Sequence, residues 1–110
     1  MDIHITARQI KLHPKIKEHA ITELNKLNHY FNGILRCNVV LRQEGTSEQS
    51  KIVDVSLHLY GHDIVATEKS DNFYKSIDNA IIKLEKQLTK IKSKLQTKDK
   101  KRVRAVKGKL

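Results

Sequence analysis

The chain has 110 residues, with 22 Lys and Arg against 12 Asp and Glu, a formal charge of +10, one Cys and no Trp. That length supports one domain, burying roughly two thirds of its unfolded surface without cross-links, and it argues against two domains. With 38% hydrophobic and 31% charged residues, and no apolar run near the roughly 20 needed to span a bilayer, membrane insertion is excluded.

Residues 1–15 alternate polar and apolar and hold no small-residue cleavage site, so no secretory signal is expected. A single Cys37 allows neither an internal disulfide nor a metal cluster, which suits a reducing compartment, and a cytoplasmic location is expected. Residues 1–82 hold ten basic and ten acidic side chains, whereas residues 83–110 hold twelve basic ones against Glu85 and Asp99. The excess charge therefore lies in the last quarter of the chain, as in a surface built for a polyanion.

In chain order, Asp2–Ala7 sets Ile3 and Ile5 on one face and His4 and Thr6 on the other, predicting a half-buried first strand. Pro14 suits a first helical position, and Ile16, Ala20, Leu24, Leu27 and Phe31 recur with helical spacing over about five turns. Asn32-Gly33 is expected to end that helix in a left-handed turn. Leu35–Glu44 alternates through Cys37, Val39 and Leu41, followed by a polar Gly45-Thr46-Ser47 turn. Ile52–Leu59 alternates again, and Tyr60-Gly61-His62-Asp63 reads as a hairpin connection into a fourth strand, Ile64–Thr67. Ser70 or Asp71 is placed to cap the last helix, whose apolar stripe runs from Phe73 through Ile77, Ala80, Leu84, Leu88 and Ile91 to Leu95. Past Gln96 the periodicity stops.

The predicted fold class is α+β, ordered β-α-β-β-β-α, with a four-stranded sheet, both helices packed on one face, and the other face in water. Its α-β-β-β-α part has the order of double-stranded-RNA-binding domains. Residues 1–96 form the expected domain, and 97–110 a flexible basic tail, disordered when free. The sequence leaves open whether the first strand lies at an edge or inside.

At about 100° per residue the last helix has three faces. The apolar side chains point at the sheet; Lys83, Lys86, Lys90 and Lys94 form a ridge roughly opposite; Asp78 and Glu85 share the remaining edge. An ordinary solvated face interleaves both signs, and this ridge does not. A membrane surface would need exposed apolar groups beside the lysines, but Leu84, Leu88 and Ile91 are required for the core, so nucleic acid is the better polyanion. With five aromatics, two of them at core positions, stacking on single strands is disfavoured, and a rigid lysine ridge suits structured RNA.

Enzyme readings find little support. Glycines at 33, 45, 61 and 108 build no phosphate loop, and His58, His62 and Asp63 lack further ligands for a metal. Cys37 alternates with Val39 and Leu41 as a buried hydrophobe does. No catalytic residue, cofactor, metal or small-molecule substrate is expected.

Asn72-Phe73-Tyr74-Lys75-Ser76-Ile77-Asp78, then Lys83-Leu84-Glu85-Lys86-Gln87-Leu88-Thr89-Lys90-Ile91-Lys92, resemble the short ribosome hibernation promoting factor and protein Y family of ribosome-associated translation inhibitors. Ile3-His4-Ile5-Thr6 and Leu27-Asn28-His29-Tyr30-Phe31 extend the match over residues 1–95. The resemblance implies binding to the small ribosomal subunit, on 16S rRNA at the decoding region. It implies competition with tRNA, mRNA and initiation factors, and reversible inhibition of translation in stationary phase or stress.

It maps Lys83, Lys86, Lys90 and Lys94 onto the rRNA-binding patch, with Lys92 and Lys75 beside them, and gives Tyr74 and Asp78 structural roles. Lys98, Lys101, Arg102 and Arg104 in the tail are further expected RNA contacts. Asn72 departs from the acid usual there, with Asp71 beside it, a change expected to affect capping. The tail, intermediate between the short factors and protein Y, leaves open whether ribosome dimers are promoted or prevented. The alternative reading is a constitutive small basic ribosomal or other structured-RNA-binding protein.

Overall fold

Four strands and two helices follow in the order β1 (Asp2–Arg8), α1 (Pro14–Tyr30), β2 (Ile34–Gln43), β3 (Lys51–Leu59), β4 (His62–Ser70) and α2 (Phe73–Lys107). The computed structural model describes residues 1–46 and 49–107, with side chains up to Ser93. The sheet order is β1-β2-β3-β4. β1 lies at an edge, parallel to β2, while β2–β3 and β3–β4 are antiparallel. The parallel pair needs a crossover, which α1 supplies.

The alternation read in β2 and β3 is the core pattern: Cys37, Val39, Leu41, Val53, Val55 and Leu57 are all buried. On them pack Ala20, Leu24 and Leu27 of α1 and Ile77, Ala80, Ile81, Leu84 and Leu88 of α2, one continuous apolar cluster. Burial also pushes the Cys37 thiol up to about 12, so it stays protonated and acts as packing.

Several local details differ from the sequence reading. Helix α1 ends because Phe31 turns extended, with its N–H donating to the Leu27 carbonyl, and not through a left-handed glycine. Gly33 is needed for space instead: a Cβ there would stand 2.6 Å from Phe31 Cε1. The β3–β4 connection is only Tyr60 and Gly61, since Leu59 already pairs with His62, and Gly61 alone takes a positive φ, of 73°. β4 runs on to Ser70 because ladder bonds to β3 down to Lys51 hold the polar residues Thr67–Ser70. Of the predicted turn after β2, Gly45 does adopt a positive φ, and Ser47 lies outside the described residues.

Neither Ser70 nor Asp71 caps α2. Asn72 does, its Oδ1 accepting from the Lys75 N–H at 2.8 Å. The Ser70 hydroxyl instead lies 2.8 Å from that of Ser76, which donates to the Lys51 carbonyl at 2.7 Å, tying β3, β4 and α2 together. The expected end of the helix near Gln96 is also displaced, since the backbone stays helical through Lys107. Neither Pro nor Gly occurs between Gly61 and Gly108, and the Lys, Arg, Gln and Ala of that stretch are strong helix formers.

The face of the sheet away from the helices is mostly polar, with Val40, Ile52 and Val65 among its side chains. Asp54 at its centre accepts from Arg42 Nε at 2.8 Å and from the Thr67 hydroxyl at 2.8 Å, and Arg42 also pairs with Glu44. The hydrogen bond from Arg42 leads in holding the Asp54 carboxyl below its ordinary value, with the Thr67 bond adding to it, against opposing desolvation. A depressed folded pKa contributes stability above the unfolded value of about 3.9 and loses it as pH falls through the folded one. Denaturant titrations should therefore show Asp54→Asn less stable than the parent at pH 7, with the gap narrowing below about pH 4; a gap independent of pH refutes this.

Candidate nucleic-acid interface

Helix α2 lies antiparallel to β4, and its flanks are fixed on both sides. Toward the sheet edge, Lys83 Nζ reaches Glu68 Oε2 at 2.6 Å and Gln87 Nε2 lies 3.4 Å from the Val65 carbonyl. Toward α1, Asp78 Oδ1 meets His19 Nε2 at 2.7 Å, and the Tyr74 ring stands edge-on to His19 at 5.2 Å. About three turns further along both helices, the Tyr30 and Thr89 hydroxyls are 2.8 Å apart and Lys92 Nζ stands 4.6 Å over the Tyr30 ring. The edge that carries Asp78 is therefore the seam between the helices, and Tyr74 and Asp78 have the structural roles expected of them.

What remains for solvent is the outer face. Lys86 and Lys90 are exposed there, one turn apart, and no ion pair holds either among the described residues. Lys83 is exposed but held by Glu68, a partner from another element that a helical projection does not show. Lys75 is paired with Asp71 at 3.3 Å across one turn. Lys92 is exposed and leans on Tyr30. Lys94, Lys98, Lys101, Arg102 and Arg104 lie on the helical backbone, with side chains outside the described residues.

The structure thus leaves Lys86 and Lys90 open on the outer face, sets Lys92 in the seam against Tyr30 of α1, and ties Lys83 and Lys75 to acids. Two cations went unnoticed in the sequence: Arg8 and Lys69 are exposed, in the same cross-strand row of the open sheet face as Arg42 and Ile52. Strand parity marks their face, but only the register aligns them. Among the described residues no group of His, Cys, Asp and Glu could hold a metal, and no helix is long and apolar enough to cross a membrane.

The family model for the sigma 54 modulation protein / S30EA ribosomal protein matches residues 3–96. The chain belongs to this S30EA family. Its members are binding and regulatory proteins, not enzymes. The ribosome hibernation promoting factor of Escherichia coli K12 is 34% identical over 96 residues, covering 87% of this chain and 98% of that one. The Klebsiella oxytoca protein of the same name is 32% identical over the same shares.

Among solved structures, a ribosomal subunit interface protein from Coxiella burnetii superposes with a TM-score of 0.76 at 29% identity, over 84% of this chain and 99% of that one. The N-terminal domain of Thermus thermophilus protein Y shares the fold, with a TM-score of 0.71 at 24% identity over 83% and 99%. The S30EA fold is thus the β-α-β-β-β-α sheet described above.

Proposed function

We propose that the chain is a ribosome hibernation factor, acting in the cytoplasm. It binds the small ribosomal subunit on 16S rRNA at the decoding region, occupies the tRNA and mRNA sites, and reversibly inhibits translation in stationary phase or stress. The observation that carries this is the pair Lys86 and Lys90, exposed cations on a helix anchored to the core, in a chain whose relatives are named ribosome hibernation promoting factor. Phosphates take such cations without any need to read bases, which suits folded RNA. Lys83, Lys92, Lys75 and Lys94 flank that pair as secondary contacts. Residues 1–96 act as the binding body, and 97–110, with Lys98, Lys101, Arg102 and Arg104, as an arm that influences whether inactive ribosomes pair.

Sedimentation tests the proposal. The protein should travel with purified small subunits and be displaced by saturating tRNA, with its association rising as growth slows. Association unaffected by tRNA, or constant stoichiometry through growth, would overturn it in favour of a permanent structural component.

A further inference from the structure

Tyr60 is 91% exposed, the most open large apolar side chain described, and it occupies the first position of a two-residue hairpin loop. Gly61 alone carries the positive φ of this turn, so the backbone places no special demand on the first position and does not account for a tyrosine there. The fold gains no packing from the ring. Tyr30 is the useful contrast, because it is 39% exposed and already engaged by Thr89 and Lys92.

The position of the loop supplies the second argument. Along α2 the contacts with β4 descend from Lys83–Glu68 to Gln87–Val65, so the turn bearing Lys90 comes level with the end of β4 that joins the Tyr60 loop. Arg36 is exposed at the same end of the sheet, beside His58, whose ring nitrogen is held by Asp63 at 2.6 Å. Exposed cations and one idle aromatic ring thus share one end of the molecule, a combination that holds RNA by its phosphates and one unpaired base by its face.

Resting on the ribosome reading above, we propose that Tyr60 stacks on an unpaired base of the RNA whose phosphates the α2 lysines hold. The contact adds affinity without adding charge. The experiment compares the full chain with Tyr60→Ala and Tyr60→Phe for binding to purified small subunits across a salt series, with chemical probing of the RNA bases. Tyr60→Ala should weaken binding by about tenfold. Tyr60→Phe should retain affinity, and the dependence on salt should not change. One base should be shielded by the parent and by Tyr60→Phe, and reactive with Tyr60→Ala.

Parent-like affinity of Tyr60→Ala overturns the proposal. Equal loss in both variants overturns it in favour of a hydroxyl contact, and loss with no change in base reactivity overturns it in favour of a protein contact. If the parent itself does not bind, the ribosome reading fails and this contact fails with it.

Discussion

Reversing Lys86 and Lys90 together to glutamate is expected to abolish binding to the small subunit, while the fold stays intact. Both side chains are exposed and neither is held by an acid among the described residues, so their loss costs little stability and removes the most available charge on α2. Each phosphate that a lysine neutralises contributes a slope of about −0.7 to −0.9 to log affinity against log salt. Replacing the two with glutamine should therefore flatten that slope by about 1.4 to 1.8. Circular dichroism and the unfolding midpoint serve as controls. A double reversal that still binds like the parent removes this face of α2 from the interface.

The largest effect on stability is expected at Leu84. It is fully buried, in the continuous apolar cluster of a helix that packs against β3, β4 and α1. Leu84→Ala removes that contact and leaves a cavity, a change that costs about 2–5 kcal/mol in packed cores. For a domain of this size that lowers the thermal midpoint by roughly 10 °C or more. Ile82, two residues earlier and 52% exposed on the outer face, is the internal comparison. Ile82→Ala should stay within about 0.5 kcal/mol of the parent. Similar losses at both positions would mean that α2 is not packed with the orientation described.

The strands and helices were legible wherever burial writes a period into the sequence. β2 and β3 are buried on one face along their length, so Cys37, Val39, Leu41, Val53, Val55 and Leu57 spell out the alternation. β4 was only half legible, because Thr67–Ser70 is polar and held by its ladder to β3, which a local pattern does not contain. The same reason hid the Lys83–Glu68 pair, whose partners are 15 residues apart, and the His19–Asp78 contact, 59 apart. The sequence presents Gly33 as a conformational device, but its role is steric and depends on where the Phe31 ring lies. The helix past Gln96 escaped because apolar periodicity reports packing, whereas helix formation also follows from propensity.

The Lys83–Glu68 pair bears on how many charges a polyanion meets. A phosphate that takes Lys83 must first displace a carboxylate, so the step exchanges one anion for another and leaves Glu68 facing the incoming strand. The net charge of the pair is zero. A salt titration of binding therefore counts fewer ions than there are lysines on the helix, and Glu68→Gln should raise that count by turning a neutral pair into an available cation.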